Sequence, residues 1–232
     1  RAEAFAPQLT ELAVRHHRVI DQLMAEDRTS LLHGQVDTLI EDLRELLHGV
    51  SLVHECSLRT RDLVASFGER LSALIVAAAT PNGWFVDART MIRTDDTFGR
   101  AQVLFGSTAD QTRSVLSDHT GVPVVTGFIA ATEQGVTTTL GRNGSDYTAS
   151  ILGSAIDADV IEIWTDVDGV MNADPRVVTD AFVVPALSYH EAMELSYFGA
   201  KVLHPYTMVP AFESGIPILI KNTLNPDAPG TM

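Results

Sequence analysis

The sequence is short of several things at once. A single cysteine, Cys56, stands among 232 residues. That excludes an internal disulfide or a cysteine-based metal cluster, and it suits a reducing compartment such as the cytoplasm. Positive charge is scarce. Sixteen basic residues face 30 acidic ones, for a formal net charge of −14. This balance argues against wholesale binding to nucleic acid or to an anionic membrane. Lysine is scarcer still, with Lys201 and Lys221 alone among the arginines. Long apolar runs are missing: none reaches the roughly 18 residues of a membrane span. No signal-peptide pattern opens the chain. There is no internal repeat, no low-complexity tract and no Ser/Gly-rich linker. What remains is 45% apolar and 20% charged. That is an ordinary globular composition, in a chain long enough to hide about 70% of its unfolded surface.

The front of the chain reads as helical. Leu9, Leu12, Ala13, His16, Ile20 and Leu23 recur at helical spacing, with Pro7 tolerable in a first turn. Leu32, Val36, Leu39, Ile40, Leu43 and Leu47 repeat the pattern, and Gly49 is placed as a C-cap. A third helix is expected from about Leu58 to Ala79, with a break near Gly68. After Pro81 the texture changes. Strands are expected at 84–87, 122–125, 136–140, 160–165 and 217–221, with helices at 107–119, 145–156, 191–195 and 199–212. Strands alternating with helices imply an α/β layered fold with a mainly parallel sheet.

Four segments carry candidate chemistry. Gly141 to Ala149, GRNGSDYTA, follows a strand and opens a helix. Glycines there let backbone approach a ligand, and the helix N-terminus offers N–H groups to an anion. Arg142 can pair bidentately with a carboxylate. Ser145 and Asp146 sit where an N-cap belongs, and a plain capped helix start is the competing explanation. Trp164 to Arg176, WTDVDGVMNADPR, follows a strand and so lies at the sheet's C-terminal edge, where ligands of open α/β folds bind. An EF-hand is excluded because Met171 stands where that loop needs glycine. Asp168-Gly169 also makes an ordinary turn. Ser196 to Pro205, SYFGAKVLHP, holds Lys201, whose ammonium could neutralise a transferring phosphate; the alternative is a solvated helix lysine. In Ser66 to Arg70, SFGER, Glu69 could accept an ammonium or simply face water. The histidines lack the i, i+4 spacing of a zinc helix, and no nucleophile elbow is present.

Taken in order, SFGER, GRNGSDYTA, IWTDVDGV with NADPR, and ELSYFGAKVLHP resemble the kinase domain of the aspartokinases, within the amino acid kinase family. The resemblance covers about Leu46 to Met232. It extends to stand-alone enzymes and to the kinase half of aspartokinase–homoserine dehydrogenases, and MIRTDDTFG (91–99) is similar to stand-alone members. It implies a three-layer αβα sandwich with a mainly parallel central sheet, here lacking its first strand. The domain would be 1–232, with an α-rich flank at about 1–80 and a nucleotide-binding part at about 120–232. It implies ATP-dependent phosphorylation of the side-chain carboxylate of L-aspartate, with Mg²⁺, at the start of lysine, threonine and methionine synthesis.

By the same resemblance, Glu69 would bind the aspartate ammonium, and Arg142, Asn143, Gly144 and Ser145 its carboxylates. Thr165 and Asp166 would border the adenosine. Met171 falls where some relatives place a tyrosine against the nucleotide. Arg176 and Lys201, with Val202, would line the phosphate side, Lys201 acting catalytically. Asp146 would orient cationic groups or Mg²⁺-bound waters, and no residue is assigned as a direct metal ligand. Family members are generally dimers or tetramers.

Two departures shape the expectation. The family's Lys-Phe-Gly-Gly-Thr-Ser loop has no counterpart before Lys201, and the regulatory ACT domains are absent. The sequence is therefore expected to be part of a longer enzyme and inactive alone, which ADP release by these 232 residues would contradict. The competing readings are a kinase of the same fold acting on glutamate, acetylglutamate or UMP, and a catalytically silent ligand-binding or scaffolding module.

Overall fold

The computed structural model describes residues 5–117, 119–173, 176–197 and 205–232. They form two compact units, one of the described residues within 1–104 and 114–141, the other of those within 105–113 and 142–232.

The first unit opens with three helices, α1 (Ala6–Leu23), α2 (Glu26–Val53) and α3 (Leu58–Ala79). Their apolar residues recur every three or four positions and so share a face. Ile20, Leu32, Val36, Ile40, Leu71 and Ile75 form one core cluster, and Leu9, Leu43 and Phe67 a second. Two expected punctuations are overruled. Helix α2 runs through Gly49 and stops at His54, which takes the left-handed conformation (φ 54°) with its N–H on the Val50 carbonyl. Helix α3 runs unbroken through Gly68, because Phe67 and Leu71 on either side are buried and hold the backbone helical. The Ser57 hydroxyl caps α3 by accepting the Thr60 N–H.

The helical flank is not set apart from the strands that follow. Strand β1 (Gly83–Val86) pairs in parallel with β3 (Val122–Val125). Strand β2 (Arg93–Thr94) pairs in parallel with β4 (Ile129–Thr132), which pairs antiparallel with β5 (Thr137–Thr139). Between β2 and β3 lies α4 (Phe105–Ser117), which spans the division between the units. β4 is buried along its length, and so are the three threonines of β5. Buried hydroxyls need partners. Thr137 accepts from Arg89, Thr138 pairs with Thr94, and Thr139 donates to Asp62.

The second unit holds α5 (Gly144–Ala155), β6 (Ile161–Thr165), α6 (Tyr189–Tyr197), α7 (Pro205–Glu213) and β7 (Ile218–Asn222). Strands β6 and β7 are parallel, with Ile161 opposite Ile218 and Thr165 opposite Asn222. Their inward isoleucines meet Val170, Met208, Ala211 and Ile216 in one core. The expected helix at 199–212 is seen from Pro205 onward; its start lies outside the described residues. Among the described residues the strands form three short sheets, and the parallel pairings expected of the fold are present. No described helix is long and apolar enough to cross a membrane.

Candidate active site

In the first unit the chemistry gathers on α3. Glu69 is half-buried, and its carboxylate accepts the Gly127 N–H. Burial pushes its pKa up, and the Gly127 bond offsets part of that rise. The next residue along the chain, Phe128, sits at φ 66°, a conformation costly for an aromatic residue and one that turns the chain sharply before β4. Arg70 lies over the Phe67 ring, 4.7 Å from its centroid, and 4.0 Å from Asp87. Asp87 is gripped by Arg89, whose Nε and Nη2 reach its two oxygens at 2.9 and 2.6 Å. Burial pushes the Asp87 carboxyl up, but the bonds from Arg89 and the charge of Arg70 bring it below its ordinary value. Burial and the nearby Arg89 charge lower the Arg70 pKa in turn.

One further carboxylate here went unnoticed at the level of sequence. Asp62, on α3, is 4% exposed. It accepts the Gly99 N–H at 2.8 Å, the Thr139 N–H at 3.0 Å and the Thr139 hydroxyl at 2.9 Å. Seven residues before Glu69, it lies two turns away on the same helix face. That spacing was the available signal.

In the second unit α5 begins at Gly144, one residue earlier than expected. Its N-cap is Asn143, in the left-handed conformation (φ 58°), and no side chain caps the helix. Ser145 and Asp146 are therefore the second and third helical residues rather than caps. An uncapped first turn leaves its N–H groups for an outside acceptor. The Asn143 amide donates to Asp146 at 3.3 Å. Burial raises the Asp146 pKa, and the Asn143 bond opposes that. Arg142 and Ser145 are exposed, and Gly144 is buried.

At the end of β6, the Thr165 hydroxyl donates to the exposed Asp166 carboxylate at 3.3 Å. Asp168 behaves differently. One of its oxygens takes the side-chain amides of Asn222 and Asn225, at 2.6 and 3.1 Å, and so ties this loop to the segment after β7. Met171 bridges to Val183, and Arg176 is exposed in a turn. Lys201 and Val202 lie outside the described residues. Lys221 receives an explanation that sequence alone did not supply. Its ammonium donates to the Ala228 carbonyl and lies 5.6 Å from the centre of the Trp164 ring, its partner across β6 and β7. An apolar cavity of about 470 Å³, lined by Val170, Leu187, Tyr189, Met208, Phe212 and Ile218, involves none of the candidate residues.

The family description "Amino acid kinase family" matches residues 11–222. The chain belongs to the amino acid kinase family. Among curated relatives, Aspartokinase 1, chloroplastic, of Arabidopsis thaliana is 40% identical, over 98% of this chain and 41% of that protein. Bifunctional aspartokinase/homoserine dehydrogenase 2, chloroplastic, of Zea mays is 34% identical, over all of this chain and 26% of that protein. Among solved structures, E. coli aspartokinase III in complex with aspartate and ADP (R-state) superposes with a TM-score of 0.87 at 33% identity. That match covers 97% of this amino acid kinase chain and 51% of the E. coli chain. The chain thus has the amino acid kinase fold, and it spans about two fifths of the length of its curated stand-alone relative.

Proposed function

We propose that the protein carrying this chain transfers the γ-phosphoryl group of ATP to the side-chain carboxylate of L-aspartate, giving 4-phospho-L-aspartate and ADP. The observation that supports this most is the match to a structure solved with aspartate and ADP, together with the uncapped start of α5 directly behind Arg142. Glu69 takes the aspartate ammonium. Arg142, Asn143, Gly144 and Ser145 take its carboxylates. Thr165, Asp166 and Met171 border the nucleotide, with Arg176, Lys201 and Val202 on its phosphate side.

Phosphoryl transfer asks for alignment and charge neutralisation more than covalent work. The aspartate carboxylate, with a reference pKa of about 3.9, is already a nucleophile at neutral pH and needs no base. Its oxygen forms the new bond to the γ-phosphorus as the bond to the bridging oxygen breaks and ADP leaves with the electron pair. The difficulty is bringing two anions together. Arg142 and Lys201 offset that repulsion, as do the first-turn amides of α5. Mg²⁺ supplies further charge neutralisation when bound on the phosphates. Asp146 fits a role toward its water shell: it is a carboxylate in the first turn of α5, held in place by Asn143. In this reading the product feeds lysine, threonine and methionine synthesis in the cytoplasm, and the complete enzyme is a dimer or tetramer.

The test is ADP release by the complete protein with ATP and L-aspartate, with the acyl phosphate trapped by hydroxylamine. Turnover with aspartate and none with glutamate, acetylglutamate or UMP is expected. Turnover with UMP or glutamate and none with aspartate overturns the assignment.

A further inference from the structure

Burying an ionised carboxylate is costly unless hydrogen bonds meet its charge. Asp62 is buried and accepts from three donors, which come from two separate segments: Gly99, in the loop after β2, and Thr139, the last residue of β5. Stability alone does not require such an arrangement, since a well-packed apolar residue often serves a buried site as well as an ionic one. What distinguishes this one is where its two anchored segments lead.

Thr139 is two residues before Gly141, which sits at φ 78°. A Cβ added at Gly141 would meet the Gly99 carbonyl oxygen at 3.3 Å and the Arg100 Cγ at 3.1 Å. Asp62 holds Gly99, and Gly99 bounds Gly141. The Thr139 carbonyl also accepts the Ala101 N–H at 2.9 Å, and the Leu140 N–H donates to the Phe128 carbonyl at 2.9 Å. The Phe128 turn starts at Gly127, which donates to Glu69. Asp62 and Glu69, two turns apart on α3, thus grip two neighbouring stretches of backbone. One runs into Arg142, and the other cradles Glu69.

We infer that Asp62 is a positioning residue for the acceptor substrate. Its carboxylate sets the path of residues 139–141, the stretch of chain that leads directly into Arg142. This rests on the reading of Arg142–Ser145 as the acceptor-carboxylate site.

Two variants of the complete protein test it. Thr139→Val keeps the shape and removes only the hydroxyl donor; Asp62→Asn turns an amide toward backbone donors. For Asp62→Asn the aspartate KM is expected to rise by about tenfold, with the ATP KM held within about twofold. For Thr139→Val the rise is smaller, about threefold. In both, amide hydrogen exchange at 99 and 139–143 speeds by about tenfold, while β6 and β7 keep their protection. Unchanged aspartate KM and unchanged exchange in folded Thr139→Val overturn the inference, even if Asp62→Asn fails to fold. So does a parallel rise in both KM values with uniformly faster exchange, which marks ordinary stabilisation. A wild-type protein that does not phosphorylate aspartate removes the proposed function instead. The exchange pattern then reports on the backbone path alone: local speeding at 139–143 keeps Asp62 as the residue that sets that path, and no speeding removes this part of the inference as well.

Discussion

Glu69, proposed above to take the acceptor's ammonium, is a carboxylate whose ionised form is costly in the folded state. Burial raises its pKa, so its ionised form is held against a desolvation penalty that an arriving ammonium would relieve. The sign of the pH effect follows. A carboxylate with a raised folded pKa binds protons more tightly folded than unfolded. Its contribution favours folding at low pH and is lost as pH rises from its unfolded value, about 4.3, through its folded one. Ammonium binding needs the ionised form and so runs the opposite way. Glu69→Gln is expected to raise the aspartate KM by about 10- to 100-fold, the worth of one charge-assisted hydrogen bond, with kcat far less affected. The variant's melting temperature should equal or exceed the wild type's near neutrality, with the gap closing as pH falls toward 4. Initial rates against aspartate, with melts at several pH values, read both. A loss of kcat at unchanged KM would contradict the assigned role.

At the scale of elements, legibility depended on periodicity. Helices α1 to α3 announce themselves through apolar residues every three or four positions. Strands β6 and β7 do so through β-branched runs such as Ile161-Glu-Ile-Trp-Thr. Strand β4 was missed because Ile129-Ala-Ala-Thr is buried on both faces and so shows no alternation. Strand β2, at two residues, is too short to carry any pattern. Asp62 was hidden for another reason. A lone aspartate in a helix reads as a solvated face, and its partner Thr139 lies 77 residues away. The motif segments were legible as segments, yet their local geometry was not. Nothing in GRNGSDYTA says that Asn143, rather than Ser145, sits at the helix cap, because Asn, Ser and Asp all suit that position.

Helix α5 also depends on close packing. A Cβ at Gly153 would come within 2.7 Å of the Ile161 side chain, which is buried in β6. Gly153→Val is therefore expected to destabilise the protein by about 1–3 kcal/mol through overpacking. Denaturant unfolding measures this, and an unchanged midpoint would mean that Ile161 can move aside.

Across the whole molecule, positive charge is a limited resource. Against a formal net charge of −14, several of the few cations are tied to specific partners. Arg70 and Arg89 bracket Asp87, and Lys221 braces the turn after β7. The near-absence of lysine makes the chain its own chemical reporter. An amine-selective acylating reagent meets only two lysine side chains in 232 residues. The ammonium of Lys221 is already engaged with Ala228 and sits against Trp164, so its acylation should be slow. Labelling at Lys201 is expected to be the faster of the two, and ATP should slow it selectively. Mass spectrometry of tryptic peptides resolves the two sites, and ATP protection at Lys221 without any at Lys201 would reverse the assignment. The brace that keeps Lys221 quiet thus makes it an internal reference, against which any ATP-dependent change at the Lys201 peptide is read.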